Sequence, residues 1–134
     1  MWIIKYYVTA NGGSPFKDWY GGLDQDVQAV FDARLEYLKQ QPRNRWSMPH
    51  FRLLHGPYVQ LGEIRFKVKR VQYRPLGFFG PEANQFTLLV GAIEKGDKIQ
   101  PASACTSALK YMSALSAHQN QPNPTGGSAN DWDS

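Results

Sequence analysis

Two arginines, Arg65 and Arg74, are placed by the sequence to face each other across a short β-hairpin. Hydrophobic and polar residues alternate over residues 58–69, as is typical of a strand, and Lys69-Arg70 can form a tight turn. Residues 71–79 then return beside the first strand, in a register that sets Arg65 opposite Arg74. Like charges directly opposed destabilise a sheet, so the sequence predicts an anion between the two guanidinium groups. Phosphate fits this position, because guanidinium groups hold its oxygens through paired hydrogen bonds.

The surroundings of this arginine pair are strongly basic. Between positions 43 and 74 the only acidic residue is Glu63, and the whole chain carries a formal net charge of +4. Such a concentration of positive charge indicates a surface for a polyanion, with nucleic acid as the leading candidate. An ordinary solvated strand face is the alternative interpretation. The basic residues of this block are Arg43, Arg45, Arg52, Arg65, Lys67, Lys69, Arg70 and Arg74.

Groups that can exchange a proton lie close to the same strands in the sequence. His50 and His55 flank the strand that enters the basic block, and imidazole is the side chain best suited to proton transfer near neutral pH. Either histidine is otherwise a turn residue. Glu63 shares the polar face of its strand with Arg65, where it is a candidate base or a partner in a salt bridge.

Further side chains extend this candidate surface. Lys67 continues the row that contains Arg65, and Lys95 follows the end of a strongly apolar strand. Tyr58 stands among the basic residues, and exposed aromatic rings of this kind stack on the bases of single-stranded RNA. The candidate RNA contacts are therefore Arg52, Lys69, Arg70 and Tyr58.

The composition limits the class of protein. A chain of 134 residues, 42% hydrophobic and 13% aromatic, suits one folded domain with a single core. The single cysteine, Cys105, excludes an intramolecular disulfide and a zinc site built from several cysteines. No segment approaches the ~20 apolar residues that span a bilayer, and the first residues become polar too soon for a signal peptide. We therefore expect a cytoplasmic protein without membrane association.

The elements that must position the candidate residues begin with a strand over residues 2–8, which are β-branched and aromatic. Pro15 opens a short helix that ends near Tyr20. Asp24 caps a longer helix, whose apolar residues recur at spacings of three and four and which ends before Pro42. These two helices form a hairpin with one apolar stripe.

The second half of the chain alternates in the manner of strands. Strands are predicted over residues 51–54, 58–69, 71–79 and 86–93, and the last of these is apolar enough to be central and covered on both faces. Pro101 opens a last helix. Residues 117–134 lack apolar periodicity and basic residues, which predicts a disordered acidic tail after a domain over residues 1–116. The fold class is α+β, with the order β-α-α followed by an antiparallel meander and a C-terminal helix.

Several short strings occur in an order that is found in one known family. They are Leu61-Gly62-Glu63-Ile64-Arg65-Phe66 after the turn Gly56-Pro57-Tyr58, the pair Tyr73-Arg74, the strand Phe86–Ile93 leading into Glu94-Lys95 and Pro101, and a last helix with Ala108 and Tyr111. In this order they resemble the RelE/HigB superfamily of toxin endoribonucleases, particularly its phage-derived HigB-like branch. The resemblance covers about residues 14–112 and implies a RelE-like fold. The branch usually has two adjacent lysines where this chain has Glu94-Lys95, and residues after 117 have no counterpart in it.

The resemblance also implies a function. It implies the toxin of a type II toxin–antitoxin pair, an endoribonuclease that cleaves mRNA, often on the ribosome, without a metal or cofactor. In such cleavage the ribose 2′-hydroxyl attacks the neighbouring phosphate, which requires a base, an acid and groups that hold the extra negative charge. The expected partners are mRNA and a cognate antitoxin of the helix-turn-helix type. The residues predicted for catalysis are Arg65, Arg74, Lys67, Lys95, Glu63 and His55.

Two other functions fit the same sequence. A non-catalytic RNA- or ribosome-binding module would keep the basic surface and would lack an acid–base pair. A phage protein-interaction protein would use the basic hairpin to dock an acidic target, and its RNA binding would be weak and nearly independent of salt, in contrast to phosphate contacts. Function belongs to the site, so the fold alone does not separate these three.

Overall fold

A computed structural model describes residues 1–116 and 126–132 of the chain. Within these ranges the helices are α1 (Pro15–Gly21), α2 (Gln25–Lys39) and α3 (Ala104–Ser116), with short 3-10 segments at Arg43–Arg45 and Gly56–Tyr58. The strands are β1 (Ile3–Val8), β2 (Phe51–Leu53), β3 (Gly62–Ile64), β4 (Phe66–Val68), β5 (Val71–Tyr73), β6 (Leu76–Phe79), β7 (Gln85–Val90), β8 (Ile93–Lys95), β9 (Lys98–Gln100) and β10 (Ser128–Asp131).

Six strands form one mixed sheet in the order β10-β1-β7-β6-β3-β2. The first strand runs parallel to β7, and the other neighbours are antiparallel. Every residue of β7 is buried, which confirms the prediction of a central strand covered on both faces. Helices α1 and α2 pack over one face, around Phe16, Phe31 and Phe86. Helix α3 covers the other face, around Leu76 and Leu89.

The remaining strands form a second sheet, in the order β4-β5-β8-β9. Three stretches that the sequence predicts as single strands are each divided between the two sheets. They change sheet at Arg65, at Arg74-Pro75 and at Gly91-Ala92. Hydrogen bonds continue across this level, since the Ile64 amide donates to the Pro75 carbonyl at 2.9 Å and the Arg74 amide to the Ala92 carbonyl at 2.8 Å. We call this level, where the two sheets meet, the corner.

Two residues explain why the strands change direction at the corner. Pro75 has no amide hydrogen and cannot donate to a continuous ladder. Gly91 lies against the indole of Trp19, where a β-carbon would be only 1.8 Å from Cδ2, so this close approach of helix α1 requires glycine.

The predicted RelE-like arrangement, β-α-α followed by a single antiparallel meander and a C-terminal helix, is wrong. The protein is α+β, but its strands divide into sheets of six and four. The polar segment after residue 93 forms the hairpin of β8 and β9, and a further strand, β10, follows the last helix. The prediction failed because regular alternation of side chains continues through the corner and does not reveal a change of sheet.

The hairpin that carries the basic residues was predicted in the correct register. Phe66 pairs with Tyr73 and Lys67 with Gln72, and the Phe66 and Tyr73 rings stack with centroids 5.0 Å apart. The turn residues Lys69 and Arg70 both have positive φ, 48° and 74°, as a two-residue hairpin turn requires.

The predicted disordered tail is corrected for the residues that the structure describes. Strand β10 pairs antiparallel with β1, and Trp132 packs against Tyr6, Phe16, Tyr20 and Phe31. Trp132 also donates its backbone amide to the Ile4 carbonyl at 2.9 Å. The other residues of the predicted tail, 117–125 and 133–134, lie outside the described part. The signal that was missed is the single tryptophan in an otherwise polar segment.

Replacing Trp132 by alanine is expected to lower the free energy of unfolding by about 2 kcal/mol. This is less than the ~3–5 kcal/mol of a fully buried tryptophan, because Trp132 is only partly buried. Urea unfolding followed by circular dichroism measures the change, and Trp132→Phe should lose less than Trp132→Ala. Equal urea midpoints for wild type and Trp132→Ala would show that the packing of Trp132, which follows β10, adds nothing to the free energy of unfolding.

Candidate functional site

A buried carboxylate lies at the corner, among three arginines. Glu63, in β3, is fully buried. Its Oε2 accepts a hydrogen bond from Nη1 of Arg65, and it lies 3.1 Å from Nη2 of Arg52 and 3.7 Å from Nε of Arg74. The anion that the sequence predicts between Arg65 and Arg74 is therefore supplied by the chain itself. Glu63 does not reach the surface, so we assign it a positioning role in place of the predicted proton transfer.

The guanidinium group of Arg74 forms its hydrogen bonds within the protein. Its side chain is only 4% exposed. Its Nε donates to Oε1 of Glu94 at 3.1 Å, its Nη1 to the Tyr73 carbonyl at 2.9 Å and its Nη2 to Oε1 of Gln72 at 2.9 Å. Burial lowers the pKa of Arg74 from its usual value, and the nearby Arg65 lowers it further. Arg74 thus joins the two sheets and lies in the wall of the site.

A pocket opens beside this cluster, and we call it the corner pocket. Its volume is about 280 Å³. Among the described residues, four basic side chains and no acidic one line it, so its wall is positively charged. Besides this charge, the wall contains one imidazole, one amide and three apolar side chains. The lining residues are Arg34, Met48, Pro49, His50, Arg65, Phe66, Lys67, Gln72 and Arg74.

His50 supplies the imidazole of the corner pocket, a side chain whose ordinary pKa lies near neutral pH. Its Nδ1 is buried and has no hydrogen-bond partner among the described residues, so Nε2 is the nitrogen that can exchange a proton with a bound molecule. Burial lowers the pKa of His50 below its usual 6.5, and the positive charge of Arg34 lowers it further. The imidazole is therefore neutral at pH 7. Its backbone is fixed as well, because the His50 carbonyl accepts the Arg65 amide at 2.8 Å.

Arg34 was missed in the sequence as a site residue. It lies on α2 and donates from Nη1 to the Arg65 carbonyl, which brings the helix to the corner. Burial lowers the pKa of Arg34, and the nearby Tyr37 opposes this effect. One sequence signal could have identified it: Arg34 follows Phe31 by three residues and precedes Leu38 by four, so it interrupts the apolar stripe of the helix.

The predicted catalytic residues separate into those at the corner and those elsewhere. Arg65 and Lys67 line the pocket, with the Lys67 side chain exposed. His55 is exposed at the start of the 3-10 segment Gly56–Tyr58, and it is not part of the pocket wall. Lys95 is exposed at the end of β8, opposite Lys98 in β9, and it does not line the pocket either.

The predicted RNA contacts divide in the same way. Arg52 is 42% exposed and pairs with Glu63 at the corner. Lys69 forms an exposed ion pair with Asp26 at 3.1 Å, which raises the pKa of the lysine and lowers that of the aspartate. Arg70 is exposed in the hairpin turn. Tyr58 packs against the cluster under α3, so the predicted stacking role does not fit its position.

The described residues contain neither a cluster of metal ligands nor a helix that could span a membrane. No group of three or more His, Cys, Asp or Glu side chains there could hold a metal ion. None of the helices in residues 1–116 or 126–132 has the length and apolar character needed to cross a membrane. Burial raises the pKa of the Cys105 thiol, and the charge of Glu63 raises it further, so this cysteine is a poor nucleophile.

Among known proteins, no family model, no curated protein and no solved structure matches this chain. We therefore infer the function of the chain from the residues of the corner pocket.

Proposed function

We propose that the corner pocket binds the phosphodiester backbone of single-stranded RNA and cleaves it by transfer to the ribose 2′-hydroxyl. The observation that carries this proposal is the presence of one imidazole, His50, in a wall that also contains basic side chains, among them Arg34, Arg65 and Lys67. A neutral base beside fixed positive charges is the combination that this reaction requires.

The reaction assigns one role to each group. Nε2 of His50 accepts the proton of the 2′-hydroxyl as the O2′–P bond forms. The P–O5′ bond then breaks, and the leaving 5′-oxygen takes a proton from water. The products are a 2′,3′-cyclic phosphate and a 5′-hydroxyl. Arg34 and Lys67 hold the phosphate and the negative charge that develops on it, and the loss of one such donor costs about 10²–10³ in rate.

Arg65 and Arg74 contribute in a different way from that predicted. Both interact with Glu63, so part of their charge is neutralised inside the protein. Arg65 still lines the pocket and carries the carbonyl that Arg34 binds. We therefore assign the primary phosphate contacts to Arg34 and Lys67, and a positioning role to Arg65 and Arg74.

The test is cleavage of a short single-stranded RNA by the purified protein in the presence of EDTA. Products with a 2′,3′-cyclic phosphate and a 5′-hydroxyl, together with an intact all-deoxy oligonucleotide of the same sequence, would support the proposal. Binding of the deoxy oligonucleotide should weaken steeply with salt, as phosphate contacts require. A protein that neither binds nor cleaves would overturn it.

Non-catalytic RNA binding is the second candidate. It is favoured by the partial neutralisation of the corner by Glu63, which leaves less positive charge to stabilise a transition state. The same experiment separates the two candidates, because a binding module would retain the RNA and release no products.

The toxin role and the cognate antitoxin are proposals supported by the sequence resemblance alone. Induced expression in bacteria tests them. Growth arrest with new mRNA 5′ ends would support a toxin, and normal growth would remove the reason for expecting an antitoxin.

A further inference from the structure

An exposed apolar surface adjoins the corner pocket. Tyr37, on α2, is 43% exposed, and Met48, in the loop before β2, is 56% exposed. Met48 lines the pocket directly. Tyr37 contacts His50, with ring centroids 5.0 Å apart and planes at 67°. Six large apolar side chains are exposed in the described residues, and two of these, Tyr37 and Met48, lie beside His50 or in the wall of its pocket.

The arrangement leaves the ring of Tyr37 available for stacking. An edge-to-face contact uses at most one face of each ring, so at least one face of Tyr37 is not covered by His50. Tyr37 also follows Arg34 by three residues, which puts both side chains on the same side of α2. Tyr37 also opposes the effect of burial, which lowers the pKa of Arg34, as expected for neighbouring groups.

Charge and shape together indicate the occupant of this surface. A basic pocket selects a phosphate, and an aromatic face next to it selects a planar group attached to that phosphate. In a nucleotide these two groups are joined through the ribose. A base can stack on a protein ring only if it is unpaired and turned out of its own stack.

We propose that Tyr37 and Met48 form a subsite for one unpaired nucleobase of the nucleic acid whose phosphate occupies the corner pocket. This proposal rests on the proposed function, since it needs a nucleic acid in the pocket. The base stacks on Tyr37 and contacts the side chain of Met48. It thereby holds the attached ribose beside His50 and restricts the substrate to single strands.

The test compares two all-deoxy oligonucleotides, which lack the 2′-hydroxyl nucleophile. One is a short single strand, and the other is the same strand with every base removed. Fluorescence anisotropy at fixed salt is expected to show about tenfold or greater weakening for the abasic strand, as the loss of one stacked base predicts. The duplex form of the first oligonucleotide should also bind more weakly than the single strand.

Variants locate the effect on the protein. Tyr37→Ala should bind the normal and the abasic strands with equal affinity, and Tyr37→Phe should retain the wild-type preference. Val59→Ala is the control for the loss of an exposed apolar side chain elsewhere on the surface. Val59 is as exposed as Met48 and does not line the corner pocket. Circular dichroism establishes that each variant is folded.

The outcomes separate this proposal from the proposed function. Salt-dependent binding that is equal for the normal and abasic strands would overturn the base subsite and leave the phosphate pocket in place. Binding of neither strand would overturn both. A preference for bases that survives in Tyr37→Ala would place the stacking surface elsewhere and also overturn the subsite.

Discussion

Replacing His50 by glutamine is expected to reduce the rate of RNA cleavage by about 10²–10⁴-fold, the range for removal of a general base. Glutamine preserves much of the size and polarity of the side chain but cannot accept the 2′-proton. Binding of an all-deoxy oligonucleotide should change little, because we assign the phosphate contacts to Arg34 and Lys67, which also line the pocket. Single-turnover cleavage and anisotropy measure the two quantities separately. His55→Gln is the matched control, since His55 is exposed and does not line the pocket.

The dependence of the wild-type rate on pH provides a second readout. The base must be neutral, and burial and Arg34 lower the pKa of His50 below 6.5. The rate should therefore rise with pH on the acidic side, with a midpoint below 6.5, and become constant above it. Loss of this rise in His50→Gln would identify His50 as the titrating group. An unchanged profile, or an equal loss of activity in His55→Gln, would contradict the assignment.

Replacing Glu63 by glutamine is expected to lower the free energy of unfolding by about 3–5 kcal/mol, the range observed when one partner of a buried ion pair is removed. The substitution is nearly isosteric and removes the carboxylate that three arginines share, which leaves Glu94 as the remaining ion-pair partner of Arg74. The Arg65 and Arg74 contacts should account for most of the loss, because Arg52 is more exposed and its pair is screened by solvent. Chemical unfolding in urea measures the change.

A matched control for this prediction is Glu94→Gln. Glu94 also pairs with Arg74, but its side chain is 25% exposed, so its loss should cost about 1 kcal/mol or less. Equal and small effects of both substitutions would show that Glu63 is not the centre of the corner. A further variant, Arg65→Met in the Glu63→Gln background, should recover part of the stability, because it removes a largely buried charge whose ion-pair partner was Glu63.

The parts of the fold that the sequence predicts correctly depend on neighbouring residues. The hairpin of β4 and β5 is closed by a two-residue turn, which fixes the register of Phe66 on Tyr73. Helix α1 begins at Pro15, and Asp24 is the residue that precedes the first turn of α2. In each case the deciding contacts lie within a few residues in the chain.

The parts that could not be predicted depend on distant contacts. The parallel pairing of β1 with β7 and the antiparallel pairing of β1 with β10 join segments that are more than 70 residues apart in the chain. Periodicity identifies strands but does not tell which sheet a strand enters, so the corner was not foreseen. Pro75 interrupts the ladder of a strand by its own chemistry. The need for glycine at position 91, in contrast, comes from Trp19, which packs on it from another element.

The candidate site was predicted in composition more accurately than in arrangement. The two arginines and an anion between them were expected, and Glu63 was given two possible roles, a base or a partner in a salt bridge; the structure shows the salt bridge. The choice between His50 and His55 could not be made locally, since it depends on Tyr37 and Arg34 of helix α2. Arg34 was not identified from the sequence, and only its contact with the Arg65 carbonyl shows its place at the site.

The corner has a consequence for the thermodynamics of ligand binding. Arg65 and Arg74 are carried by chain segments that run through both sheets, and His50 and Arg34 are tied to one of these segments through Arg65. Groups held in this way lose little conformational entropy when a ligand arrives, because folding has already ordered them. Lys67, Met48 and Tyr37 are exposed, and their side chains bear most of the entropic cost. Binding should therefore combine a preorganised centre with an adaptable rim.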